Sequence, residues 1–178
     1  MRIIAGAFKG RRFYPPADKW PTRPTTDFAK EGLFNILENR MEFAGAICLD
    51  LFGGTGNHSF ELISRGVKQV TYVDKHRPAV TFVHQLAREL DITDRIKIVF
   101  ADVSRFLTHK SGAFDYIFAG PPYPLTWIPE IPDLIFNHGW LKEGGIFVLE
   151  TNPNHRFDHH PRFKELRTYG KTHFSFFG

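Results

Sequence analysis

From residue 46 onward the apolar positions fall into short runs, and most runs are followed by a stretch in which apolar residues recur every three to four positions. Short apolar runs rich in β-branched and aromatic residues predict strands, and the three-to-four spacing predicts helices that bury one face. The strands then fall at 46–52, 70–73, 96–100, 116–119 and 145–150, and the helices at 58–65, 78–90, 103–109 and 127–138. Gly66 stops the first of these helices, Pro78 opens the second, and Pro129 and Pro132 are expected to break the start of the last. Residues 163–169 and 173–177 read as two further strands around a turn at Gly170. Upstream, a helix capped by Thr25 or Thr26 runs to Asn39, with Asp27 in its first turn and an apolar stripe of Phe28, Leu33, Phe34, Ile36 and Leu37. Residues 2–14 read as a short hairpin, joined to this helix by an extended connector holding Pro15, Pro16, Pro21 and Pro24.

Strands that alternate with helices imply an α/β fold: a mostly parallel, seven-stranded, Rossmann-like sheet with helices on both faces. The last two strands, with no helix between them, form a hairpin on that sheet, and the opening hairpin is an N-terminal extension. The 178 residues are read as a single domain, with residues 1–22 as a basic appendage and connector.

Charge sharpens this picture. Residues 1–30 carry a net charge of +5 and residues 151–178 a net +3, whereas residues 31–150 carry −4. Two basic ends folded together would offer one patch to a phosphate backbone. Arg2, Lys9, Arg11 and Arg12 are its candidate contacts. Cys48 is the single cysteine, which excludes an intramolecular disulfide and a Cys-based zinc site; it sits in an apolar run and reads as an inert buried thiol. No apolar stretch approaches the roughly 20 residues that a membrane-spanning helix needs, and no signal peptide is visible, so a cytoplasmic protein is expected. His155, His159 and His160 cluster in a predicted loop without the spacing of a metal site. A monomer is expected.

Four strand ends carry candidate chemistry. Asp50-Leu51-Phe52-Gly53-Gly54-Thr55-Gly56 joins the first strand of the alternating series to its helix, and its glycines let the backbone turn sharply beside a ligand. The dinucleotide pattern fits poorly, because the third glycine position counted from Gly54 is Ser59. Asp50 would repel a pyrophosphate there but would accept the sulfonium and ammonium of S-adenosylmethionine. Asp74, 20 residues after Gly54, ends the next strand and suits two ribose hydroxyls; Lys75 follows it. Asp102 ends the third strand and suits an adenine amino group, with the Val103 backbone beside it; capping the following helix is compatible with that role. Gly120-Pro121-Pro122-Tyr123 ends the fourth, where two prolines stiffen a turn that presents a carbonyl and an aromatic ring to a flat base.

Together these motifs resemble the amino-methyltransferases with a D/N/S-P-P-Y/F signature, and more narrowly the RsmD-like family. The family resemblance rests on Met1-Arg2-Ile3-Ile4-Ala5-Gly6, Lys9-Gly10-Arg11-Arg12, Arg23-Pro24-Thr25-Thr26-Asp27, Glu31, Leu33, Phe34 and Asn35. It extends to Asp50-Leu51-Phe52 with Gly54 and Gly56, and to Tyr169-Gly170-Lys171-Thr172. It covers nearly the whole chain. It implies a Rossmann-like S-adenosylmethionine-dependent methyltransferase fold and methylation of the exocyclic N2 of a guanine in 16S ribosomal RNA, free or in a small-subunit particle. It implies that Arg23, Thr25 and Asp27 belong to a lid over the cofactor, that Phe52, Gly54 and Gly56 pass close to it, and that Tyr123 stacks on the flipped base while the Pro121 carbonyl orients its amine.

Gly120 departs from the family pattern, in which that position is an aspartate that accepts from the target amine. The departure keeps a second reading open: a protein that binds cofactor and RNA with weakened catalysis. An N6-adenine methyltransferase would need much the same pocket. A nicotinamide oxidoreductase is disfavoured by the missing third glycine and by the Pro-Pro-Tyr turn.

Overall fold

In the computed structural model, which describes residues 1–21, 23–109 and 112–178, seven strands build one sheet. The chain runs α1 (Asp27–Glu38), β1 (Ile47–Leu51), α2 (Asn57–Ser64), β2 (Gln69–Asp74), α3 (Arg77–Glu89), β3 (Ile96–Phe100) and α4 (Val103–Thr108). It continues with β4 (Phe114–Ala119), α5 (Ile131–Asn137), β5 (Leu141–Thr151), β6 (Phe163–Tyr169) and β7 (Thr172–Phe177). The strand order is β3-β2-β1-β4-β5-β7-β6; the first five are mutually parallel, and β7 runs antiparallel to both of its neighbours.

The period-two alternation of each strand splits the core into two layers. Cys48, Val70, Tyr72, Tyr116, Phe118, Val148, Phe174 and Phe176 face a layer shared with residues of α1, α2 and α3. Leu49, Leu51, Val73, Ile117, Ala119, Phe147, Leu149 and Phe177 face one shared with residues of α4 and α5. Burial on both faces explains why the central strands read as continuous apolar runs rather than alternating ones. Chain order reverses at β1, which lies between β2 and β4. Such a reversal leaves a crevice beyond the carboxyl ends of the strands, because the helices that follow leave to opposite faces.

Two details differ from the sequence pattern, and one extends it. In α1, Phe28 is 69% exposed and packs edge-on to Tyr169, whereas Lys30 is buried. The inward stripe is Lys30, Leu33, Phe34 and Leu37, an i, i+3, i+4, i+7 set that a charged residue concealed. The expected opening hairpin forms: Arg2 bridges Arg12, Met1 and Phe13 exchange hydrogen bonds at 3.0 and 2.9 Å, and the Ile3 amide donates to the Arg11 carbonyl at 3.0 Å and the Gly10 amide to the Ile3 carbonyl at 2.9 Å. Its middle turns to α2. The Ile4 and Ala5 amides donate to the Glu61 carboxylate at 2.9 and 3.1 Å, the Ala7 amide to the Ser64 carbonyl at 2.8 Å, and the Phe8 amide to Ser64 Oγ at 3.0 Å. Gly6 is required at this contact, since a Cβ there would lie 1.8 Å from the Ser64 carbonyl oxygen. Lastly, the connector contains a short 3-10 turn at Ala17–Lys19. Thr22, the last residue of the expected appendage, lies outside the described residues.

Glu61 is the hub of this docking. It is fully buried, and its carboxylate also takes Lys30 Nζ at 3.0 Å and Arg65 Nε at 2.9 Å. Lys30 Nζ donates onward to the Arg2 carbonyl and to Asn57 Oδ1, and Asn57 Nδ2 donates to the Thr25 carbonyl at 3.4 Å. One ion pair therefore joins the arm, α1, the start of α2 and the connector.

Candidate active site

At the reversal the β1 backbone passes through Phe52, a non-glycine residue at φ 59°, before turning into α2. A left-handed phenylalanine is a strained backbone, of a kind concentrated at functional sites. Gly53 allows close stacking of two chain segments: a Cβ on it would lie 2.2 Å from the Tyr72 ring, and Tyr72 Oη donates to the Gly54 carbonyl at 2.6 Å. Asp74 holds the same loop from β2. Its Oδ2 accepts the Gly54 amide at 2.9 Å and its Oδ1 the His76 amide at 2.7 Å. A carboxylate has about four acceptor positions, so each oxygen retains capacity for a ligand hydroxyl.

Two cavities meet here. The first, of about 510 Å³, has Asp50, Phe52, Gly54, Gly120, Tyr123 and Glu150 in its wall, with Trp20, Arg23 and Thr25 of the connector across its mouth. The second, of about 290 Å³, is walled by Asp74, Lys75, His76, Asp102, Val103 and Trp127, among others. Pro21, Phe52 and Pro122 belong to both walls, so the cavities adjoin. The carboxylates and the Lys75 ammonium in the second follow strand ends, Asp74 and Lys75 at β2 and Asp102 after β3. Asp102 caps α4 through the Ser104 amide at 2.9 Å and pairs with Lys75 at 3.2 Å; the hydrogen bond from Ser104 and the ammonium of Lys75 hold its carboxyl below the usual range.

The first cavity contains two buried carboxyls. Asp50 Oδ2 accepts from Ser59 Oγ at 2.5 Å, and burial pushes its carboxyl up to about 7. Glu150, near the end of β5, accepts from Thr25 Oγ1 and, at 3.4 Å, from Tyr123 Oη; burial pushes it up to about 7 as well, against the pull of those donors and Arg23. His58 stacks on Phe118 with ring centroids 3.8 Å apart, and burial holds its imidazole well below the ordinary histidine range. These three groups predict a pH dependence. Around pH 5–6 the folded protein keeps both carboxyls protonated and His58 neutral. The unfolded chain there has two carboxylates and a protonated histidine, so folding takes up about one proton. Stability of the ligand-free protein should therefore fall as pH rises from about 5 to 7, by about 1.4 kcal/mol per pH unit at most. Thermal unfolding across this range reads the effect; in Glu150→Gln the slope should be nearly flat.

The structure brings Arg23, Thr25, Asp50, Phe52, Gly54, Gly120, Pro121, Pro122 and Tyr123 together in one cavity, and Asp74, Lys75, Asp102 and Val103 in its neighbour. Gly56 lies outside both walls, at φ 78° before α2. Asp27 is also outside them; it pairs with Arg2 at 3.3 Å, which ties it to the arm. Lys9, Arg11 and Arg12 are exposed, and Arg2 is half-buried by its pair with Asp27. His160 faces Asp133 at 3.1 Å, and among the described residues no group of three His, Cys, Asp or Glu side chains is placed to hold a metal ion. Sequence reasoning passed over Trp20, His58, Trp127 and Glu150. Glu150 had a readable signal: it is a charged residue closing the apolar run Ile146-Phe147-Val148-Leu149 at a strand end.

A family model described as "Conserved hypothetical protein 95" matches residues 1–178. The chain is 31% identical over 153 residues to the ribosomal RNA small subunit methyltransferase D of Escherichia coli (strain K12), spanning 85% of this chain and 74% of that protein. A solved structure of a hypothetical protein from Thermus thermophilus is similar with a TM-score of 0.85 at 25% identity, over 99% of this chain and 98% of that one. The ribosomal protein L11 methylase of Lactobacillus delbrueckii subsp. bulgaricus shares the fold, with a TM-score of 0.67 at 16% identity over 88% and 80% of the two chains. The architecture is the Rossmann-like fold of S-adenosylmethionine-dependent methyltransferases.

Proposed function

The chain belongs to the family described as conserved hypothetical protein 95, the RsmD-like group, and from that premise we propose that it methylates the exocyclic N2 amine of a guanine in small-subunit (16S) ribosomal RNA with S-adenosylmethionine as donor. The observation that carries the reading is the pair of adjoining cavities at the strand-order reversal, one of them holding two buried carboxyls. That donor set fits a cationic ligand and is hostile to a pyrophosphate, which supports S-adenosylmethionine over a dinucleotide. When bound, the donor supplies an electrophilic methyl on a positively charged sulfur.

The residues divide the remaining work. Asp74 holds the ribose hydroxyls and Asp102 the adenine amine, beside Lys75 and the Val103 backbone. Asp50 faces the charged end of the donor, with Phe52 and Gly54 against it and Gly56 setting the loop's exit. Arg23 and Thr25 close over it from the connector; Asp27 acts at one remove, by fixing Arg2. The rigid Pro121-Pro122 turn holds the target amine through the Pro121 carbonyl, and the Tyr123 ring stacks on the extruded guanine. The rate gain comes chiefly from positioning. Arg2, Lys9, Arg11 and Arg12 grip RNA phosphates. The 178 residues act as one domain with residues 1–22 as its RNA-contacting appendage, and the work takes place in the cytoplasm.

The test is incubation with isotopically methyl-labelled donor and small-subunit rRNA, both naked and in assembling particles, followed by mass spectrometry of the nucleosides. Label in N2-methylguanosine is the expected result. Label on adenine N6 would move the target, and no label on any substrate would overturn the proposal.

A further inference from the structure

We propose that Glu150, beside the strand end where Gly120 carries no side chain, is the proton acceptor of the transfer. The inference rests on the methyltransferase reading above and deepens it. Gly120 follows β4, and its amide donates to the Leu51 carbonyl at 3.2 Å, which fixes the β4 end against β1. A Cβ built on Gly120 would lie 3.2 Å from the Phe118 ring and 4.0 Å from Glu150 Oε2. An aspartate at 120 extends a carboxyl from that Cβ, which would make it a neighbour of the Glu150 carboxyl. Two carboxylates that close do not both ionise. With no side chain at 120, the acceptor available at this strand end is the one on β5.

Glu150 is held as a positioned acid–base group would be. It is 5% exposed, and β5 places it one residue beyond the Ala119–Leu149 pair, across from Phe174 of β7. Thr25 Oγ1 and Tyr123 Oη bind one oxygen each. The groups that bear on its charge are Arg23 from the connector, Tyr116 on β4, Tyr123 from the turn after β4, and Asp50 at β1, with Thr25 as the nearest neutral donor. It shares a cavity wall with Pro121 and Tyr123, the groups assigned to the target base. Its titration near pH 7 means that it can take a proton from the amine and return it to water at working pH. As the amine nitrogen bonds the methyl carbon, the carbon–sulfur bond breaks with its electron pair left on sulfur. The surplus amine proton passes to the Glu150 carboxylate and then to solvent.

The experiment compares wild type, Glu150→Gln, Gly120→Asp and the double variant on small-subunit rRNA, with S-adenosylhomocysteine calorimetry and thermal unfolding as controls. Glu150→Gln preserves the shape and a hydrogen bond but accepts no proton. It should lower kcat about 10²–10³-fold while S-adenosylhomocysteine affinity changes less than threefold, and it should lose the rise in rate between pH 6 and 8. Gly120→Asp alone should gain nothing, because Glu150 already takes the proton; in the Glu150→Gln background it should restore at least tenfold. An active wild type with Glu150→Gln equally active and an unchanged pH profile overturns the inference alone. A slowed variant that keeps the wild-type pH profile assigns Glu150 a positioning role and also overturns it. A wild type with no methyl transfer overturns the methyltransferase reading, and this inference with it.

Discussion

Replacing Glu61 with leucine should destabilise the fold by about 3–5 kcal/mol, the usual cost of leaving a buried charge without its partner. Lys30 would remain nearly inaccessible with no anion, and the Ile4 and Ala5 amides would lose their acceptor. Burial already lowers the Lys30 ammonium, with Glu61 the main force holding it charged. Denaturant unfolding gives the magnitude. The arm should also loosen, and limited trypsin digestion at Lys9, Arg11 and Arg12 should accelerate in the folded state. Lys30→Met together with Glu61→Leu should recover part of the loss, since Lys30 no longer leaves a buried charge unpaired, while Arg65 Nε and the Ile4 and Ala5 amides stay without the acceptor. Equal stability of the single variant and wild type would contradict the hub assigned to Glu61.

Asp74→Ala should weaken S-adenosylhomocysteine binding about 100-fold, equivalent to about 2.7 kcal/mol. The carboxylate does two jobs: it fixes the glycine loop through the Gly54 and His76 amides, and it faces the second cavity. Removing it strands two amide donors as well as a ligand contact. Asp102→Ala should cost about tenfold, because its side chain is a third exposed and is engaged with Ser104 and Lys75. Calorimetry on both variants checks the ranking; a larger loss in Asp102→Ala would reverse the two assignments.

Much of this site was legible before any coordinates. Asp50, Asp74, Asp102 and the Pro-Pro-Tyr turn each follow a strand, and in an open parallel sheet every strand end points to the same edge, so position along the chain translates into position in the crevice. What stayed hidden depended on contacts between distant segments. Lys30 falls outside the apolar stripe because its partner lies 31 positions further along the chain, and Phe28 falls inside it because hydrophobicity alone does not fix a helix's rotation. The docking of the N-terminal hairpin on α2 is hidden because nothing local reveals that Glu61 and Ser64 capture the amides of its turn. Glu150 was passed over because the motif drew attention to the missing side chain at 120 and not to the carboxyl on the neighbouring strand.

The placement of β7 between β5 and β6 has a consequence for synthesis. A nascent chain that has emerged as far as Tyr169 holds β6 but has no partner to join it to β5. Until residues 172–177 follow, the flank of β5 stays an unpaired backbone edge beside Phe147 and Leu149, with the aromatic trio Phe174, Phe176 and Phe177 not yet there to cover it. Edges of that kind recruit other chains. The interval before β7 arrives is therefore when holding chaperones should matter most to the yield of this protein.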